Sequence, residues 1–204
     1  MRTRLLIPAL LALPLAGCIS FGSKPPPSLL TLESDATVAV GETTSSASAR
    51  SITIAVPGVP QELAVTRIPV RSGDTSVAYL KDAQWVETPN RMFARMLSDT
   101  ITARTGRIVL ATRASLVDRG ARLGGDLRQF GVDANASAAV VVYDATLIRD
   151  RTDSAEGARP ATALEKRRFE ARVPLSQITP AAAGLALNQA ANQVAGEVSD
   201  WVGR

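Results

Sequence analysis

Cys18 is the only cysteine among 204 residues, and its place in the chain implies chemistry more plainly than any other residue does. It directly follows Leu15-Ala16-Gly17. Small residues at 16 and 17 let the chain lie extended in a peptidase cleft, as an A-x-A site does. A cysteine immediately after them is the lipobox arrangement. Its thiol would carry a diacylglyceryl thioether, and the α-amino group freed by cleavage would carry a third, palmitate-like chain. Upstream, Arg2 and Arg4 form a positive n-region and Leu5 to Leu15 an apolar h-region. That run is interrupted by Pro8 and Pro14, and it is far shorter than the ~20 apolar residues a spanning helix needs. Residues 1–17 therefore read as a signal peptide cleaved before Cys18. An ordinary secretory peptide with a chance cysteine is the alternative, but the sole cysteine falling at this position argues for acylation. Two lipid signals suffice for stable anchoring, so three chains would hold the protein on a membrane permanently. Ile19 stands where an aspartate would favour retention at the inner membrane, which points to the periplasmic face of the outer membrane.

The remaining chemistry is narrow. The chain has no histidine, which removes the commonest general base and metal ligand. With Cys18 acylated, thiolate catalysis, zinc–sulfur ligation and intrachain disulfides go as well. No nucleophile elbow, phosphate-binding loop or dinucleotide fingerprint occurs, so no catalytic residue, cofactor or metal site is expected. Asp150, Asp153 and Glu156 lie in one loop, but their spacing is not that of a calcium loop, and a solvated hairpin tip accounts for them. Asp118 and Asp126 are the best candidates for a carboxylate pair. Lys166-Arg167-Arg168 alternates faces if it lies in a strand and reads as a sheet edge. Arg91 and Arg95, one helical turn apart, either meet anionic headgroups or are merely solvated. Asn135-Ala136-Ser137 matches a glycosylation sequon in letters only.

Removing Arg2 and Arg4 leaves 21 Lys and Arg against 19 Asp and Glu, a net charge of +2. That balance gives no case for nucleic acid, which needs clustered basic residues. Residues 18–28 form a lipidated N-terminus and tether whose Pro25-Pro26-Pro27 favours extended geometry. Residues 29–204 form one domain, with Leu29–Leu32 as a short strand and 33–50 as a mobile loop. Strands are expected at 52–56, 63–70, 76–80, 107–111, 122–132, 138–148 and 167–175, with Gly124-Gly125 marking a bulge or a close backbone approach. Arg149 to Ala163 reads as a polar hairpin loop. Thr88-Pro89 should open a helix whose apolar stripe is Met92, Phe93, Met96, Leu97 and Ile101 and which Gly106 ends. A second helix should run from Thr179-Pro180 to Val202, with Leu187, Ala191, Val194, Val198 and Trp201 on one face. Hairpin-like spacing predominates. The fold class is therefore α+β, a mixed, largely antiparallel sheet with two long helices packed against it, in a single domain.

Several motifs occur in a telling order. Leu29-Leu30-Thr31-Leu32 is followed by Ile52-Thr53-Ile54-Ala55-Val56-Pro57 and Val59-Pro60. Val77-Ala78-Tyr79 then precedes Gln84-Trp85-Val86-Glu87-Thr88-Pro89, a W-x-E-x-P motif opening a helix. Asp126-Leu127-Arg128-Gln129-Phe130 and a terminal helix ending in Trp201 complete the series. From about Ser28 to Val202 the chain resembles the ABC-type transport auxiliary lipoproteins, which accompany MCE-domain lipid transporters and include the paraquat-inducible lipoprotein group. It lacks the tyrosines usual in their first strand. The resemblance implies a non-catalytic envelope subunit working with an MCE protein, a permease and an ATPase to move phospholipid or another hydrophobic molecule. It also implies a homo-oligomeric ring. From the residues themselves, Trp85 buries an indole under the first turn and Glu87 favours the helix's positive end; no ligand contact is assigned to either. The same plan would also serve an envelope-assembly lipoprotein, such as a cell-wall synthase activator or a secretin pilot.

Overall fold

Three strands of thirteen residues carry the architecture. In chain order the elements are β1 (Ser51–Ile54), a 3-10 turn (Gln61–Leu63), β2 (Arg67–Arg71), β3 (Val77–Gln84), α1 (Pro89–Thr105), β4 (Ile108–Leu110), β5 (Ala121–Asp133), β6 (Ala138–Asp150), β7 (Thr162–Pro174) and α2 (Pro180–Gly203). The computed structural model describes residues 28–38, 41, 50–73, 75–110, 120–150 and 162–203. Cys18, Asp118, Asp153 and Glu156 lie outside them.

β6 lies antiparallel between β5 and β7. The other edge of β5 is shared by two short strands laid end to end. β1 runs parallel to its start (Ile52↔Ala121) and β2 parallel to its finish (Val70↔Val132), with a Gly58↔Asp126 bridge between them. β4 adds parallel to β1, and β3 antiparallel to β2. The long antiparallel pairings outweigh the short parallel ones, so the sheet is mixed and largely antiparallel with both helices on one face. β6 is a central strand, as its Val140-Val141-Val142-Tyr143 run suggests.

Alternation explains the layering. Ala139, Val141, Tyr143, Ala145 and Leu147 of β6 and Phe169, Ala171 and Val173 of β7 point into the main core, joined by Leu175 just after β7. Three aromatic pairs hold different elements to this face: Phe93 of α1 on Tyr143 at 5.3 Å, Phe169 on Trp201 of α2 at 5.6 Å, and Trp85 on Phe130 at 5.7 Å. Such edge and tilted contacts add about 0.5–1.5 kcal/mol each beyond the area they bury. On the opposite face, Ala138, Val140 and Val142 form a small buried cluster of their own. Arg172 stands beside Val140 in register and pairs with Asp133 at 3.5 Å and Glu170 at 2.6 Å.

Four sequence expectations need correction. Leu29–Leu32 is no strand: only Leu30 bridges, parallel to Trp85. Residues 63–70 are not continuously extended, because Pro60 opens a 3-10 turn that drops Leu63 fully into the core before β2 begins. β3 runs on to Gln84 rather than stopping at Leu80, passing through a positive φ of 55° at Asp82. Of the two readings of the glycine pair, a bulge or a close approach, the second holds, and the bulge falls between Leu127 and Gln129. Gly125 provides the close approach: its φ is 136°, and a side-chain carbon there would collide with the Asp144 carbonyl oxygen. β6 and β7 also extend further into the expected hairpin loop, to Asp150 and from Thr162.

Candidate functional site

The W-x-E-x-P segment lies where the N-terminal strap joins the domain. Trp85 is fully buried, and its backbone N–H donates to the Thr66 carbonyl at 2.7 Å. On the other side Leu30 donates to the Gln84 carbonyl at 2.8 Å, and Val86 donates to the Leu30 carbonyl at 2.9 Å. The Leu30 side chain then packs against Gly184 of α2, where a side-chain carbon would stand 3.0 Å from Leu30 Cδ2. Beyond it the strap runs along both helices. Glu33 N–H donates to Asn188 Oδ1 and Asp35 N–H to Asn192 Oδ1, each at 2.9 Å. Asn192 Nδ2 returns a bond to the Glu33 carbonyl at 2.9 Å, and the Ser34 and Thr100 hydroxyls meet at 3.0 Å.

These contacts fix the direction of the helices. α1 and α2 both begin near Leu30, and both finish together, where Arg104 pairs with Asp200 at 2.9 Å. They run side by side in the same direction, so both positive helix ends lie where the strap joins. Thr88 occupies the N-cap position of α1 and Pro89 its first residue, but the Thr88 hydroxyl makes no capping bond. Neither helix has an acidic side chain in its first turn. Glu87, just before α1, turns to Arg95, whose hydrogen bond holds the carboxylate below its ordinary pKa. At the far end two arginines satisfy the last carbonyls of α2. Arg107 donates to the Val202 carbonyl at 3.3 Å, and Arg149 donates to the carbonyls of Trp201 and Val202 at 3.1 and 3.3 Å. Burial, with Arg149 and Arg50 nearby, lowers Arg107 from the usual guanidinium pKa.

A groove of about 690 Å³ opens between α1 and the β1–β4 edge. Ile54, Val56, Val109 and Leu110 give it apolar walls, and Arg91 and Arg95 reach it from α1. The two arginines expected on one helix face are thus brought together, although Arg95 is engaged by Glu87.

The other candidates resolve as structure. Asp126 lies against Gly58, where a side-chain carbon would press on its carboxylate, and the backbone beside it closes the bridge through Gly58 N–H to Gly125 O at 2.9 Å. Its intended partner Asp118 is outside the described residues. Of the loop carboxylates, Asp150 ends β6, while Asp153 and Glu156 are outside. Among the described residues no group of three or more Asp, Glu, His or Cys is placed to hold a metal ion. Arg168 forks onto Asp144 at 2.6 and 2.7 Å, which holds that carboxylate below its ordinary pKa. Arg167 sits over the Phe169 ring at 5.0 Å. Lys166-Arg167-Arg168 is accordingly part of β7, which pairs only with β6 among the described residues. Asn135 and Ala136 form the β5–β6 turn and donate their N–H groups to Asp133. Tyr143 donates to the Gly124 carbonyl at 2.7 Å, and burial pushes its phenol pKa up.

Asn188 and Asn192, which hold the strap, were not singled out in the sequence. Their signal was present: two amides four residues apart share one edge of the helix.

The family model described as "ABC-type transport auxiliary lipoprotein component" matches residues 30–199. No curated protein matches the chain. Among solved structures, protein XCC0632 from Xanthomonas campestris, of the family DUF330, is similar at 19% identity and a TM-score of 0.63. The likeness covers 86% of this chain and 94% of that one. A second, described as an uncharacterized protein, is similar at 13% identity and a TM-score of 0.58, covering 75% and 92%. At these identities the likeness shows the fold. The sequence match shows the family: this chain belongs to the ABC-type transport auxiliary lipoproteins.

Proposed function

We infer that the protein is a non-catalytic lipoprotein subunit of an MCE-type ABC transport system. Acylated at Cys18, it stands on the outer membrane facing the periplasm. There it works with an MCE protein, a permease and an ATPase that move phospholipid or another hydrophobic molecule through the envelope. A homo-oligomeric ring at the end of the MCE assembly suits a single small domain on a short tether. The observation that carries this inference is the family match over 30–199 in a chain whose only cysteine follows a lipobox. The chemistry of the chain supports a non-catalytic role. It has no histidine, its one thiol is the acylation position, and Asp144 and Glu87 are held by arginines.

Crosslinking in intact membranes followed by affinity capture of the tagged protein tests the partner. Recovery of an MCE-domain protein with its permease and ATPase is the expected result. Recovery of a peptidoglycan synthase or a secretin without any MCE protein would overturn it in favour of an envelope-assembly role.

A further inference from the structure

Among the described residues eight large apolar side chains are exposed, and four of them lie at the end where the strap joins. Leu29 (51% exposed) precedes the bridging Leu30, and Val86 (48%) follows its partner Trp85. Leu185, the most exposed of the eight at 76%, follows Gly184, on which Leu30 packs. Ile178 (36%) lies two residues before the start of α2. Single exposed aliphatics are ordinary, whereas several at one end of a domain mark an interaction surface. Both helices also direct their positive ends there with no acidic side chain in either first turn, an arrangement that favours anionic groups. The opposite end is finished by contrast, its helix carbonyls bonded by Arg107 and Arg149.

We propose that this end lies against a phospholipid bilayer surface, with Leu29, Val86, Ile178 and Leu185 entering the interfacial layer and the two helix N-termini facing lipid phosphates. The proposal rests on acylation of Cys18. Nine residues, 19–27, separate that cysteine from Ser28, so even a fully extended tether spans at most ~35 Å. That is about the length of α2 alone, whose 24 residues rise about 36 Å. A domain held so closely by this end presents it to the bilayer in preference to any other. The aliphatic rim is too small to bind membrane on its own, but a tether makes a weak contact effectively intramolecular.

The chain allows a clean test, because its only native cysteine is the acylated one. Leu185→Cys, Val86→Cys and, as a control at the far end on β7, Leu164→Cys each introduce one free thiol for an environment-sensitive dye. Leu164 is itself 59% exposed and lies next to Ala163, which pairs with the Arg149 that caps α2. The full-length lipidated variants are reconstituted into vesicles of phosphatidylethanolamine with a minor fraction of phosphatidylglycerol, and acylation is checked by mass. The expected result is a blue shift at positions 185 and 86 and loss of most of the intensity there when doxyl-labelled phospholipid is included, with position 164 unchanged. Acylated protein with no quenching at 185 and 86, or with equal quenching at all three positions, would overturn the proposal. So would a shift at 185 and 86 that appears only when the MCE partner is added, which would make this end a protein-docking surface. Protein that carries no acyl chain at all would instead defeat the anchor in the proposed function, a distinct failure.

Discussion

The two ends of the helix layer are built differently. Where α1 and α2 finish, arginines close the helix ends onto the chain itself: Arg107 and Arg149 bond the last carbonyls of α2, and Arg104 reaches Asp200. Where the helices begin, the strap joins beside Trp85, aliphatic side chains stand in solvent, neither helix has an acidic side chain in its first turn, and Glu87 just before α1 turns to Arg95. The difference teaches that internal stability and interaction are segregated along the helix axis, and that the end joined to the tether is the one left for something outside the domain.

Substitutions should separate these two roles. The largest effect is expected for Trp85→Ala, because removing a fully buried indole costs about 3–5 kcal/mol. Urea unfolding should register that loss and should also show the strap detaching. Next is Arg107→Met at the closed end. Losing a charged hydrogen bond to a helix carbonyl costs about 1.5–3 kcal/mol, and the melting temperature should fall while vesicle contact is unchanged. Asn192→Ala removes two strap bonds worth about 1 kcal/mol each. Hydrogen exchange should rise across residues 33–36 with little effect on β5 or β6.

A smaller effect concerns pH. Arg168 holds Asp144 below the usual carboxylate value of about 3.9. The stabilisation is therefore present above that value and is lost as pH falls through the lowered one. Asp144→Asn should flatten that acid limb by removing the small stabilisation at neutral pH while leaving stability below the lowered value unchanged, measured by thermal melts from neutral to acid pH. The smallest change in stability is expected for Leu185→Ser, within about 0.5 kcal/mol because the side chain is mostly exposed. A large loss of stability there would mean that the open end is part of the core after all.

Much of this was legible in the sequence. The alternation through Phe169, Ala171, Val173 and Leu175 and the four-and-three spacing of Leu187, Ala191, Val194, Val198 and Trp201 are local signals, and all of these residues are buried. The end-to-end placement of β1 and β2 along β5 was not legible. It depends on pairing partners some sixty to seventy residues apart, as in Ile52↔Ala121 and Val70↔Val132. The strap was illegible for a related reason. Its bonds are made by Asn188 and Asn192 more than 150 residues away, and the spacing of those two amides on α2 does not say which segment they hold. At the candidate site, Trp85 and the proximity of Arg91 to Arg95 could be anticipated. That Glu87 would engage Arg95 rather than only the helix end could not, since it depends on a side chain folding forward over two turns.

The anchor is the point on which the account turns, and mass spectrometry of the N-terminal peptide from protein isolated from its native membranes tests it most directly. The account predicts a chain that begins at Cys18 and carries the mass of a diacylglyceryl group with a third acyl chain. A chain that begins at Cys18 with a free thiol, or that retains residues 1–17, would contradict it.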